Sequence, residues 1–381
     1  MDFALTEDQK MLKTMLRDFA KKELEPVAAE VDETAQYPAE QVKKIADLGL
    51  MGLTIPEQYG GSGKGMVDFC IAIEELTRAS AAIASYFRIS LSLGVGPIKI
   101  FGTEEQKKKY LPPHASGEKM ACFSLTEPSA GSDPAGMETT ATRKNGGYVI
   151  NGSKQFISIG AEAEIVVVFA TIDRSLRHKG ITAFIVDKDN PGLSVGKHEN
   201  KMGFRGLSAT ELVFEDCFVS EENRIGDEGR GLRIALEVLD ESRVTVGAEA
   251  IGIAQAAFET SVEYAKERQQ FGQRIANFQA IQWMLADMAT QIEAARLLTF
   301  YAASRQDAGE PFVKEAAMAK LFASEMSSVV TNKAIQIHGG YGYTKEYPLE
   351  RYLRDAKLTE IYEGTSEMQR MTIARALVGK G

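Results

Sequence analysis

Ile165-Val166-Val167-Val168-Phe169-Ala170 is an unbroken apolar run with four β-branched residues, and it decides how the chain divides. So short a run of β-branched and aromatic side chains reads as a strand. Gly147-Tyr148-Val149-Ile150, Thr182-Ala183-Phe184-Ile185-Val186 and Glu211-Leu212-Val213-Phe214 have the same character, and Asn145-Gly146-Gly147, Asn151-Gly152 and Asn190-Pro191-Gly192 read as turns that punctuate them. Residues 119–224 are therefore expected to form a small antiparallel β domain, a barrel or a pair of packed sheets. On both sides the periodicity is helical. Thr6-Glu7-Asp8-Gln9 has the form of a capping box, with Met11, Leu12, Met15, Leu16 and Phe19 following at helical spacing. Further helices to about Ser116 are broken at Tyr37-Pro38, at Ile55 to Gly65 and at Gly94-Val95-Gly96-Pro97. Downstream, long amphipathic runs cover Leu232 to Arg268, Asn277 to Gly309, Val313 to His338, Leu349 to Thr359 and Thr365 to Val378. The expectation is an α+β chain of three domains: helical 1–118, β 119–224 and a helical bundle 225–381.

Composition narrows the function classes. A chain of 381 residues with 44 basic and 53 acidic side chains has a formal charge of −9 and no dense basic cluster, which speaks against nucleic acid. Cys70, Cys122 and Cys217 lie far apart, and His114, His178, His198 and His338 are scattered, so no metal spacing emerges. No run of about 18 apolar residues and no signal pattern at Met1-Asp2-Phe3-Ala4-Leu5-Thr6 stand out, so membrane insertion is not expected. The simplest location is the cytoplasm of a bacterium, or the mitochondrial matrix for a processed eukaryotic protein.

Four stretches can carry chemistry. In Ile361-Tyr362-Glu363-Gly364-Thr365-Ser366, Glu363 stands at a break between two helical runs, with Thr365 placed to cap the second. That carboxylate is either a base pointing into a cleft or an acid that complements a helix N-terminus. Cys122 to Asp133 begins as a strand and ends in a polar turn around Gly131 and Ser132, where backbone N–H groups and hydroxyls can converge on an anionic or carbonyl-rich ligand, although a plain turn reads equally well. Gln336-Ile337-His338-Gly339-Gly340 ends a helix in glycines, which suits close approach of a diphosphate or an ordinary C-cap. Arg268, before Gln270, Phe271 and a glycine that stops the helix, is a phosphate partner or an exposed helix-end arginine. The glycine-rich stretch 55–65 lacks a preceding strand and the Gly-Lys-Ser/Thr ending of a phosphate loop, so it reads as a structural loop.

Taken in order, Thr126-Glu127-Pro128 with Gly131-Ser132-Asp133, Lys154 with Phe156-Ile157-Ser158, Glu267-Arg268 with Phe271-Gly272, Gln336 with Gly339-Gly340 and Gly342, and Tyr362-Glu363-Gly364-Thr365 resemble the motifs of the acyl-CoA dehydrogenase family over essentially the whole chain. The resemblance implies FAD, an acyl-CoA substrate, an electron-transferring flavoprotein as partner and a homotetramer built as a dimer of dimers. It implies that Glu363 removes the α-proton of the thioester while a β-hydride leaves for the flavin, giving a trans-2-enoyl-CoA. Phe123, Leu125, Thr126, Gly131 and Ser132 would then run along the flavin, Ser132 also nearing the pantetheine. Phe156, Ile157 and Ser158 stand where the family usually has Trp-Ile-Thr. Arg268, Gln270, Phe271 and Gln279 would reach FAD in a neighbouring subunit, Gln336, Ile337, Gly339 and Gly340 would lie under its diphosphate, and Thr365 and Glu367 would flank it. Asp240 and Arg243 would sit near the thioester arm, with Tyr362 and Gly364 beside the base.

Some relatives carry the base on the 232–268 helix, before an arginine. Here that position is Ser242, and Glu241 points about 100° away on a helix. Acyl selectivity is expected from residues 79–94 and from the Leu232 helix. Arg88, within that apolar segment, is read either as meeting a carboxylate or polar acyl end, as an arginine near this region does in glutaryl-CoA dehydrogenases although the register differs, or as a snorkelling or salt-bridged side chain. An enoyl-CoA reductase running in reverse, a glutaryl-like dehydrogenase and a non-catalytic acyl-CoA-binding scaffold are the alternatives.

Overall fold

Thr6 opens the first helix as the sequence suggests: its hydroxyl accepts from the Gln9 N–H at 3.2 Å while the Thr6 N–H donates to the Gln9 side-chain carbonyl at 3.1 Å. A computed structural model describes residues 4–379 of the chain; the reading of Met1, Asp2 and Phe3 lies outside them. The N-terminal helices are α1 (Glu7–Phe19), α2 (Ala28–Thr34), α3 (Ala39–Asp47), α4 (Met66–Ala79), α5 (Ala81–Ile89), α6 (Gly96–Phe101) and α7 (Glu104–Ala115). Between α5 and α6 the helix widens into one turn over Ser90–Gly94, closed by a Val95 N–H to Ser90 O bond of 3.0 Å, and the predicted break falls at Val95, a bend that opens α6. Ala81–Phe101 is a helical run bent at Val95, long and apolar enough to cross a bilayer but buried from Ala81 to Ile98 inside the fold. The glycine-rich stretch after Ile55 is a loop, and it delivers Met66 and Val67, whose N–H groups donate to Asp307 at 2.6 and 3.0 Å.

The middle domain contains β1 (Ala121–Ser124), β2 (Thr140–Lys144), β3 (Gly147–Ser158), β4 (Ile165–Thr171), β5 (Ile181–Asp187), β6 (Leu193–His198), β7 (Ala209–Ser220) and β8 (Arg224–Ile225). Their order is β6-β7-β3-β2-β4-β5-β8, with β1 paired to β4. The decisive run is β4, buried along its whole length. Most pairs are antiparallel, but β1–β4 and a single β2–β4 pair are parallel. The β2–β3 hairpin separates β1 from β4 in the chain, which gives the long connection a parallel pair requires. Asn151-Gly152 is not a turn. It lies inside β3 as a bulge opposite β7, and Gly152 takes φ +145° with a Cβ position 2.6 Å from the Thr139 hydroxyl, so only glycine fits.

The C-terminal domain is a bundle of α8 (Gly231–Glu267), α9 (Gln279–Asp307), α10 (Val313–His338), α11 (Leu349–Thr359) and α12 (Ser366–Val378). Every side chain from Ser242 to Ala254 of α8 is buried, because α4, α9 and α10 all pack on it. α8 ends at Glu267, one residue short of the predicted run to Arg268 and well before the glycine stop at Gly272. Arg268 is already extended, and Gln269–Gln270 (β9) pairs with Gln273–Arg274 (β10) across a two-residue turn in which Phe271 (φ +52°) and Gly272 (φ +76°) both take the left-handed conformation.

Candidate active site

The chain between α11 and α12 turns sharply. The Tyr362 N–H returns to Leu358 O at 3.2 Å, and the Ser366 N–H reaches back to Glu360 O at 3.0 Å. Inside that turn Glu363 takes φ +55° and Gly364 φ +92°, and Thr365 caps α12 by accepting from the Met368 N–H at 3.4 Å. A left-handed glutamate is strained, and it persists here because the surroundings over-determine it. The Gly364 carbonyl accepts from Lys320 Nζ and from Gln369 Nε2, each at 2.8 Å. Burial pushes the Lys320 ammonium down to about 8.

The Glu363 side chain is only 5 % exposed, and both of its carboxylate oxygens have donors. Arg88 Nη1 donates to Oε1 at 2.8 Å, and the Ser242 hydroxyl donates to Oε2. Arg88 is itself fully buried. It also donates through Nη1 to Thr245 Oγ1 at 3.3 Å and through Nη2 to the Tyr362 hydroxyl at 3.1 Å, with the guanidinium 5.1 Å from the Tyr362 ring centre. Its Nε lies 3.1 Å from Glu249 Oε1, an ion pair by distance without the alignment of a hydrogen bond. Glu249 further accepts from Tyr362 and Ser85. Burial opposes the charge on Arg88, but Glu249, Tyr362 and Glu363 together outweigh it and hold the guanidinium above its ordinary value. Of the two readings of Arg88, the structure realises the salt-bridged one. Ser242 stands next to the carboxylate, whereas Glu241 turns to Lys99 at 3.6 Å.

The remaining residues lie in separate places around the fold. Phe123 on β1 packs on Phe169 at 4.8 Å, Leu125 is buried, and the Thr126 carbonyl accepts from the Gln155 N–H at 2.8 Å. Gly131 and Ser132 lie exposed on the turn beyond. A bulge in β3 turns Phe156 outward at φ +59°, 61 % exposed, while Ile157 points into the core, so its side chain is not free to touch a ligand. The buried Lys154–Glu127 pair, 2.7 Å, fixes this corner. Arg268, Gln270, Gln336, Ile337, Gly339 and Gly340 line a cavity of about 560 Å³ at the end of α10, which Glu363 does not line. There Arg268 lies over Tyr341 at 5.5 Å, and Gln279 is exposed at the start of α9. Asp240 and Arg243 are paired on α8, and burial pushes Asp240 up to about 6. Glu367 is exposed in the first turn of α12. The sequence reading missed Glu249, Thr245, Ser85, Lys320 and Gln369. Glu249 was findable: like Arg88 it is a lone charge in an apolar helical stretch, and two such charges of opposite sign suggest a buried pair.

Family models for the N-terminal, middle and C-terminal domains of acyl-CoA dehydrogenases match residues 6–118, 122–217 and 229–378. The chain belongs to the acyl-CoA dehydrogenase family. It is 52 % identical to the acryloyl-CoA reductase (NADH) of Anaerotignum propionicum, over 99 % of this chain and 96 % of that one. A structure of the butyryl-CoA dehydrogenase of Megasphaera elsdenii superposes with a TM-score of 0.98 at 45 % identity, covering 99 % of this chain and all of the other. A chain from work on the electron-transferring flavoprotein of Acidaminococcus fermentans, concerned with flavin-based electron bifurcation, superposes with a TM-score of 0.98 at 48 % identity over the full length of both. As a member of the acyl-CoA dehydrogenase family, the protein is an FAD-dependent oxidoreductase that forms a double bond between the α and β carbons of an acyl-CoA. Its surfaces fit the cofactor. The open cavity meets bare backbone at Gly339 and Gly340, where an added Cβ would touch nothing, and Phe271 and Phe156 offer exposed aromatic faces held at positive φ.

Proposed function

We propose that Glu363 is the base that removes the α-proton of a short acyl-CoA. The observation that carries this is the carboxylate itself: nearly buried, held on both oxygens, in a strained turn between α11 and α12. FAD, when bound, supplies the acceptor for the β-hydride. A proton beside a thioester is weakly acidic, so its removal needs a positioned acceptor and a donor for the developing enolate oxygen. Among the described residues the Glu363 N–H has no acceptor, which leaves it free to donate to that oxygen. Arg88 and Ser242 fix the carboxylate plane, and a carboxylate's remaining lone pairs stay available for the proton. Phe123, Thr126, Phe156 and Ser158 are assigned to the flavin ring, Arg268, Gln270, Phe271, Gln336 and Gly340 to the rest of FAD, and Asp240, Arg243 and Ser132 to the CoA arm. Electrons leave to an electron-transferring flavoprotein, and exposed Phe271 and Gln279 are assigned to an FAD shared across a homotetramer in the cytoplasm or matrix.

The likeness to an acryloyl-CoA reductase favours a second direction for the same residues, in which Glu363 returns the proton to the α carbon. Glu363→Gln tests the common core. The variant keeps FAD, and anaerobic loss of flavin absorbance on adding butyryl-CoA slows by about 10³-fold. A variant that still bleaches at the parental rate overturns the assignment.

A further inference from the structure

Behind Glu363 the seam between α5 and α8 is closed by charge. Ser85 and Arg88 on α5 hold Glu249 on α8, Arg88 also holds Thr245, and Ser92 of the widened turn meets Ser242 at 3.3 Å. Arg88, Glu249, Thr245, Ser85 and Ser242 are all fully buried. We infer that the Arg88–Glu249 pair is the floor of the acyl site and limits the substrate to short, uncharged acyl groups. The inference rests on Glu363 being the base.

Three physical points lead there. A proton-accepting oxygen sits about 3–3.5 Å from the carbon it deprotonates, and Arg88 Nη1 lies 2.8 Å from Glu363 Oε1, so the guanidinium stands within about 6 Å of the acyl Cα. Carbon and nitrogen cannot approach closer than about 3.5 Å, so a chain that turns from Cα past the carboxylate toward the α5–α8 seam meets the guanidinium after roughly two more carbons. A longer chain would have to part α5 from α8 and strip partners from a buried cation and a buried anion, a loss that apolar contact does not repay. A carboxylate-ended acyl group fares no better. One guanidinium and two carboxylates already leave the cluster with a net negative charge, and a third carboxylate would be added in a volume sheltered from water. The buried arginine therefore excludes a dicarboxylic substrate, because Glu249 has already neutralised it.

The test is a panel of propionyl-, butyryl-, octanoyl- and glutaryl-CoA, read both as anaerobic flavin reduction and as equilibrium binding of the unreactive butyl- and octyl-CoA thioethers. Wild-type enzyme is expected to prefer butyryl-CoA over octanoyl- and glutaryl-CoA by about a hundredfold or more in kcat/KM. Removing both charges together, Arg88→Ser with Glu249→Gln, moves the octanoyl-to-butyryl ratio toward the longer chain by at least about tenfold, and the octyl-to-butyl thioether binding ratio in step. Arg88→Lys, which keeps the charge, retains the short-chain preference. Equal use of octanoyl- or glutaryl-CoA by the wild type overturns the inference even if the double variant does not fold, and so does an unchanged ratio in a double variant that retains FAD. If no thioester reduces the flavin and no 2-enoyl-CoA reoxidises the reduced flavin, the reading of Glu363 fails and the inference falls with it. If butyryl-CoA reduces it but the ratios stand still, only the floor is refuted.

Discussion

Ser242 touches the Glu363 carboxylate from the neighbouring helix, so two positions in one chain can place an oxygen at the same point. A carboxylate at 242 starts from a Cβ whose hydroxyl already reaches Oε2, one or two bonds short of the same spot. Glu363→Ser is expected to be nearly inactive, and adding Ser242→Glu to recover about ten- to a hundredfold of the lost flavin-reduction rate, with Arg88 still there to pair the displaced carboxylate. Stopped-flow reduction by butyryl-CoA measures both, and no recovery in a double variant that holds FAD would show that the lines of approach differ. At this scale the sequence is informative about single residues and about lone opposite charges such as Arg88 and Glu249, but not about a neutral donor paired with a charge. Glu363 is legible because a glycine, a capping threonine and two helical runs frame it. Ser242 reads as an absent base rather than as a donor, since α8 and the 363 turn lie 121 residues apart and no local rule joins them.

Elements are legible where one periodicity holds and illegible where the backbone changes course without changing composition. The long helices follow from apolar spacing, and α10 spans Val313–His338 as that spacing predicts. Asn151-Gly152 has turn chemistry but sits as a bulge, because β3 must bend around Thr139. A stop at Gly272 puts the end of α8 too late, because Arg268 to Gly272 enters a hairpin whose turn places a phenylalanine in the left-handed region. Phe271 is 92 % exposed and meets the Phe278 ring edge-on at 6.1 Å, so a ring that packs little is held at a conformational cost. Phe271→Ala is accordingly expected to leave the unfolding free energy of the apoprotein within about 0.5 kcal/mol, yet to lower the flavin content after gel filtration. Unfolding curves and the flavin-to-protein absorbance ratio check both halves, and full flavin retention would detach the hairpin from the cofactor.

Across the whole molecule the domains are joined by polar groups that a sequence shows only as scattered letters. Arg354 pairs with Asp32 at 2.6 Å, Arg296 with Glu74 at 3.0 Å, and Gln106 donates to the carbonyls of Glu222 and Arg224 at 2.7 and 2.8 Å. His114 lies at the junction of the helical and β domains: its Nε2 is 2.9 Å from Ser90 Oγ, which accepts from the Ala121 N–H of β1 at 2.8 Å. The ring is fully buried, and burial pushes its pKa down to about 4 from an ordinary 6.5. In the unfolded chain His114 takes its proton near pH 6.5, whereas the folded protein resists until about 4, so its contribution is intact above 6.5 and is lost as the pH falls through that window. Asp355 runs the other way. Burial pushes it up to about 7 from 3.8, so its penalty grows as the pH rises across the same range and masks the histidine in the wild type. The difference between wild type and His114→Gln removes that mask. Protonating the unfolded chain alone stabilises it by about 1.36 kcal/mol for each pH unit below 6.5, so from pH 7 to pH 5 the wild type should lose about 2 kcal/mol relative to the variant. Urea unfolding of both proteins at each pH measures that loss. A difference that stays constant across the window would mean that the buried ring accepts its proton without strain on the junction.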